Sequence, residues 1–447
     1  MENKDTLRSI AGFLRARLDE LGLDEVPDPR SNQGKRWPLS QVLAMVLLGL
    51  MAGCKGLAEL EDLSGDTKGV IRRWLDIRGR LPDTSARSIL CRLNPADLIP
   101  LLHRVVIAAQ HRGAWGTAYD LPVKLTAMDG KGTSLPAWLG PYAQRHHPKE
   151  GLPYGIIRTI TSTLTTSRSR GCIDVSPIPK ETNEAGHFAH AFESLATNHA
   201  SRFDMVSYDH GANSDDNARL VLAHNKQYLF QFNDERRRMQ QLMAELLEHQ
   251  PSVHTEVEIN SRGEQVTRQL RMMRVNIGVL PGLPRKSEMW EHAKTILRVD
   301  KETEHTNNNV TLQRRYYVSS LPMTEMSAGQ WNLAIKLHWG VETSHQILDV
   351  AFEEDKRPWI RTDPNGMLVM MILRRVAYTM LGLFRSVTQR SDEKREVAWR
   401  RLMKQVNNTL VGADEGTLAR LRPRHRRRKR TRKPMLGCER ISVRTAA

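Results

Sequence analysis

Apolar residues recur at helical spacing along the first hundred positions. Beyond residue 120 they give way to short runs bounded by proline and glycine. Val42, Met45, Val46, Gly49 and Leu50 share one helical face, and Pro38 with Ser40 supplies a start, so a buried helix is expected over 42–52. The same spacing predicts helices over 57–63 and 84–93. Strands are scarce here, and the segment reads as a small all-helical N-terminal domain, residues 1–115.

After Pro122 the texture changes. The runs 123–128, 156–164 and 172–178 are short, apolar and bounded by turn residues, as buried strands are. A helix over 186–199, a strand over 203–208 and a helix over 215–223 follow. Strands first, then strand and helix in alternation, predict an α/β core, placed here at 116–390. Within it, 228–232, 253–259, 265–275 and 314–319 look like further strands. The polar–apolar alternation of 253–259 predicts a half-exposed antiparallel sheet. About 225–315 therefore reads as a β-rich insertion. Helices return over 327–348 and 364–384, and residues 391–447 form a C-terminal segment.

Charge changes the picture most. Lys and Arg number 67 against 50 Asp and Glu, a formal net charge of +17 over 447 residues. Such an excess favours polyanions, nucleic acid first among them. It is concentrated in the tail, where 422–433 holds nine Lys or Arg in twelve residues, Arg426, Arg427, Arg428, Lys429 and Arg430 at its centre. That run is expected to repel itself when free and to act as a phosphate-binding arm without sequence specificity. Cys54, Cys91, Cys172 and Cys438 form no CxxC pair, so neither a zinc site nor a disulfide framework is indicated, as suits a reducing cytoplasm. The first residues lack the apolar run of a signal peptide and 42–52 is too short to span a bilayer. A soluble intracellular protein with no membrane partner is expected.

Three carboxylates stand where chemistry is commonly placed. Asp129 closes the 123–128 strand and Asp209 closes the 203–208 strand, at the ends where α/β proteins bind ligands. Asp204 competes for the second position, but it opens its strand. Glu342 lies on the helix expected through 331–348, opposite a packing face of Leu333, Leu337, Gly340, Ser344 and Ile347 and close in rotation to His338, His345 and Asp349. Carboxylate oxygens suit Mg²⁺, and paired ions can activate one oxygen and stabilise another during displacement at phosphorus. His338 and His345 stand seven apart with no cysteine nearby, a poor zinc pattern.

These residues in their contexts resemble the DDE transposases of bacterial insertion sequences, the H-repeat-associated branch in particular. Segments 34–61 and 81–93 resemble that group's N-terminal associated domain. MDGKGTSL (128–135) resembles its first-aspartate motif, ETNEAG (181–186) its connecting segment and VSYDHGANSDDNARLV its second-aspartate region. RRYYVSSL (314–321), HWGVETSHQILDVAFEED (338–355) and RPWIR (357–361) resemble the third block. The resemblance implies an RNase H-like catalytic core interrupted by a β-rich insertion, with Asp129, Asp209 and Glu342 as the metal triad. It implies Mg²⁺, with Mn²⁺ as substitute, and cleavage and joining of double-stranded DNA at element ends and target. Joining two ends implies two copies acting together, in a prokaryotic cytoplasm at the nucleoid. Lys131, Arg357 and Arg361 are expected phosphate contacts. A DNA-binding relic or regulator without catalysis, and a nuclease that never joins, are the alternatives.

Overall fold

A computed structural model of the protein describes every residue except 1–3, 32–34, 210, 212, 234–236, 261, 277–289, 308, 390–394, 420 and 422–447. The molecule is mixed α/β. Helices α1 (Lys4–Glu20), α2 (Leu39–Ala52), α3 (Leu57–Asp66), α4 (Gly69–Leu75), α5 (Asp83–Leu90) and α6 (Ile99–Gln110) occupy the N-terminal quarter. The expected helix over 42–52 is α2, with all but three of its fourteen residues buried. The basic run with Arg426–Arg430 lies outside the described residues.

Ten strands then build one sheet: β1 (Leu125–Leu135), β2 (Ala143–His146), β3 (Tyr154–Leu164), β4 (Cys172–Pro177), β5 (Met205–Tyr208), β6 (Gln227–Phe232), β7 (His254–Ile259), β8 (Gln265–Arg274), β9 (Thr295–Glu304) and β10 (Val310–Ser319). Their order is β2-β3-β1-β5-β6-β10-β9-β8-β7, with β4 also on β3. β1 runs antiparallel to β3 and parallel to β5, and β5 parallel to β6. The antiparallel strands of 254–319 continue this sheet through β10 on β6. Side-chain alternation splits the central strands between two cores. Met205 and Leu229 face one with Leu125 and Trp331, while Val206, Tyr228 and Phe230 face the other with Phe188.

Helices α7 (Glu184–His199), α8 (Asp215–Ala223) and α9 (Arg238–Glu248) pack near β4–β6 and the β8–β9 pair. Helices α10 (Ala328–His338) and α11 (Gly340–Val350) lie against β1. The single helix expected through 331–348 is thus interrupted at Trp339. Gly340 there packs so near β3's end that a Cβ would stand 2.9 Å from the Thr165 methyl. Burial also departs from the expected packing face. Leu337, Gly340 and Ser344 of that face are buried, whereas Leu333 and Ile347 are only half-buried, and Trp331, Ile335, His338, Val341 and His345 outside it are buried too.

Helix α12 (Pro364–Leu383) runs through the interior, with Gly366 to Leu383 all buried. It is long and apolar enough to cross a membrane, but here its neighbours are α2, α6 and β4. Residues of α2, α6, α12 and β4 share one hydrophobic core. Helices Trp399–Gly412 and Glu415–Leu418 pack back onto α1.

Candidate active site

Parallel pairing fixes the first two carboxylates. Ala127 on β1 stands beside Ser207 on β5, so two residues further along each strand Asp129 and Asp209 come level at the same end of the sheet. Asp129 does not close its strand as the sequence suggested. β1 continues through Gly130-Lys131-Gly132, because ten consecutive positions pair with β3, Asp129 opposite Thr161. Asp209 does follow the last residue of β5, its Oδ1 accepting from the Gly211 N–H at 2.9 Å. Asp204 lies at the opposite end of β5 and accepts the Lys124 N–H at 2.9 Å.

The sequence reading missed a third carboxylate. One oxygen from each of Asp129, Glu184 and Asp209 lies within 4.8 Å of the other two. Glu184 is the first residue of α7, whose N-cap Asn183 accepts the Gly186 N–H at 2.9 Å. The helix expected from 186 begins two residues earlier, and Asn183, immediately before Glu184, is the N-cap signal that marks its start. Tyr208, buried and edge-on to Phe188, donates its hydroxyl to Glu184 Oε1 at 2.7 Å and aims it. Gly130 makes the approach sterically open, since a Cβ there would overlap the Glu184 carboxylate.

Glu342 sits in the first turn of α11, beside this trio rather than within it. Its carboxyl is pushed up from its ordinary range by burial first and then by the charge of Asp129, while Arg315 opposes and Asp209 adds. Asp129 is pushed up to about 7 by burial and by Asp209. Glu184 is raised by burial and by both aspartates, against the Tyr208 hydrogen bond. Like charges held together in a half-dry cleft oppose one another's ionisation, and a bound cation relieves that. Four oxygen-bearing side chains and no cysteine make a hard donor set that fits Mg²⁺ or Mn²⁺.

Two buried histidines lie beside the site. His338 Nδ1 stands 3.0 Å from Ser207 Oγ, and His345 Nδ1 3.2 Å from Asp129 Oδ2. Burial pushes their pKa values down to about 4 and about 3, so both rings are neutral near pH 7 and the His345 contact is not an ion pair. Both histidines, close to Glu342 in rotation, are packed, at 3% and 8% exposed.

The expected phosphate contacts fare differently. Lys131 is buried and already committed, its Nζ lying 2.7 Å from Asp349 Oδ1 and 3.2 Å from Asp355 Oδ2. Thr133 holds the other Asp355 oxygen at 2.8 Å. Arg357 pairs with Glu353 at 3.3 Å and is half-exposed, and Arg361 is exposed. Behind them Glu354 and Arg375, both fully buried, form an ion pair at 2.8 Å that ties the segment after α11 to α12.

Residues 22–105 match the family model described as DDE_Tnp_1-associated, a span that includes α2–α5 and most of α6. No curated protein matches the chain. Among solved structures the chain is similar to a piggyBac transposase synaptic complex with hairpin DNA, at a TM-score of 0.41 and 11% identity, covering 96% of this chain and 80% of that one.

Proposed function

We propose that this protein is a DDE-type transposase that cuts DNA at the ends of an insertion sequence and joins the cut ends to a target. The observation that carries the proposal is the meeting of Asp129, Glu184 and Asp209 at one end of the sheet, with Glu342 beside them. Support comes from the family match over 22–105, which embraces both N-terminal segments with transposase resemblance, and from the +17 charge. The order β4-β3-β1-β5-β6, antiparallel on one side of β1 and parallel on the other with α7 leading from β4 into β5, favours the RNase H-like reading of the core.

Asp129, Asp209, Glu184 and Glu342 would hold Mg²⁺, or Mn²⁺ in its place. When bound, such ions neutralise charge on the phosphodiester and on the attacking and leaving oxygens. The chain's own residues position the ligands. Tyr208 orients Glu184, His345 packs against Asp129, and Lys131 between Asp349 and Asp355 ties β1 to the end of α11 and the segment after it. No protein nucleophile is needed, because water or a 3′-hydroxyl serves. Two copies acting on two ends, in a prokaryotic cytoplasm, complete the proposal.

The test is incubation of purified protein with Mg²⁺ and DNA carrying the element's ends. Specific cleavage and strand-transfer products are expected, lost in Asp129→Ala, Asp209→Ala and Glu342→Ala variants that still bind DNA. Binding without cleavage by the wild type would leave the relic or regulator, and hydrolysis without joined product would leave the nuclease.

A further inference from the structure

The sheet ends differently at its two margins. On one side β4 packs against α6, α7 and α12, and β2 is four residues long with Arg145 and His146 exposed. Short strands and outward charges are common means of keeping a margin from pairing. The opposite margin is β7, which among the described residues has one neighbouring strand, β8. The pairing runs without a bulge from His254 opposite Leu270 to Ile259 opposite Gln265.

The Asn260 N–H donates to the Glu264 carbonyl at 3.0 Å, which sets the phase of this ladder. Hydrogen-bonded pairs alternate along an antiparallel ladder, so His254, Glu256 and Glu258 turn their backbone groups toward β8. Thr255, Val257 and Ile259 turn theirs away from it. Their side chains share one face and are exposed, Val257 by 58% and Ile259 by 75%. The strand holds no lysine and no proline. A regular edge with apolar side chains and outward backbone groups is a template for another strand.

Charge indicates which strand. A chain of net charge +17 repels its own copies wherever cations gather. Along β7 acids and cations balance instead. Lys336 Nζ lies 2.9 Å from Glu256 Oε1 and 3.3 Å from Glu258 Oε2, and Arg268 lies 2.7 Å from Glu258 Oε1. A two-fold axis at Val257 would set that residue against the partner's Val257, and Thr255 against the partner's Ile259. Such β-branched pairs are among those sheets favour. Glu256 would face the partner's Glu258, but both acids already hold cations.

We propose that two copies of this chain join through β7, antiparallel about Val257, into one continuous sheet. An axis of this kind is perpendicular to the sheet and keeps α10, which packs on β7, on the same side in both copies. The proposal gives a surface to the two-copy action described above and rests on that reading for its purpose. Its test contains no DNA, so its failure leaves the proposed cleavage untouched. Absence of cleavage by an intact dimer would instead strike the proposed function and spare this surface.

Sedimentation velocity of the full-length protein from about 1 to 100 µM is expected to show a reversible dimer. A single strand pair is a small interface, so its dissociation constant should be on the order of micromolar. Val257→Lys combined with Ile259→Lys should weaken the dimer at least about tenfold, because outward lysines block strand addition. A short bis-maleimide should join Val257→Cys to itself. It should leave Ile259→Cys at the wild-type background, since those copies would stand about 14 Å apart, four residues out of register. A wild type that stays monomeric over this range overturns the proposal. So does a dimer indifferent to the two lysines, or cross-linking at 257 no better than at 259. Should the lysine variant not fold, the two cysteine variants decide alone.

Discussion

Gly130 and Glu184 fit so closely that any side chain at 130 would overlap the glutamate's carboxylate. The glycine's role is one of space. It lets the first residue of α7 reach over β1 to a carboxylate on the neighbouring residue, Asp129. Gly130→Ala is expected to push Glu184 away and to weaken divalent-ion binding about tenfold, with little effect on DNA affinity. Calorimetric titration with Mn²⁺ checks this. Unaltered Mn²⁺ affinity would show that Glu184 is not a ligand.

Charge crowding at the same site has a pH signature. Asp129 is pushed up to about 7 by burial and Asp209, well above the 3.8 of an unperturbed aspartate. Between those values the folded state binds more protons than the unfolded state, so this group's contribution to stability falls as pH rises from about 4 to about 7. Asp129→Asn should therefore stabilise the metal-free protein at pH 8 by roughly 1–3 kcal/mol and have little effect at pH 4. Mg²⁺ should raise the melting temperature of wild type at pH 8 and raise that of the variant much less. Thermal melts at the two pH values, with and without Mg²⁺, measure it.

The fully buried Glu354–Arg375 pair holds the polypeptide next to the Lys131–Asp355 contact. Removing one member leaves the other charged and dry, which costs about 3–5 kcal/mol. Glu354→Gln or Arg375→Met is expected to destabilise by that amount in urea unfolding, and a paired replacement by apolar residues of similar volume much less. An equal loss for the single and paired replacements would mean that the ion pair itself, not the unpaired charge, matters.

What the sequence disclosed follows from the range of the interaction involved. Asp209 could be placed at a strand end because the apolar run before it is local and stops there. The end of β1 could not be placed. Gly130 and Gly132 read as punctuation, yet pairing with β3 across ten positions overrides that local preference. Strand β9 carries Asp300, Lys301, Glu302 and Glu304 and has no apolar alternation to betray it. It is held by ladders to β8 and β10 on both sides. Lys131 looked available because its partners, Asp349 and Asp355, lie 218 and 224 residues away. Glu184 alone has a local signal, Asn183 as N-cap, which starts α7 two residues ahead of the expected helix.

The basic segment 422–433 yields a prediction that depends on charge alone. Nine Lys or Arg in twelve residues give a dense positive charge whose contacts with phosphates release counterions. Each contact adds roughly 0.9 to the slope of log affinity against log salt on B-DNA. Deleting 422–447 should therefore reduce the magnitude of that slope by several units and weaken binding most at low salt, where counterion release is most favourable. Cleavage by bound protein should persist, because Asp129, Glu184, Asp209 and Glu342 all lie elsewhere in the chain. Anisotropy titrations from 50 to 200 mM salt would settle the point. A slope the same with and without the tail would mean that the arm does not touch DNA and that the binding charge resides in the folded body.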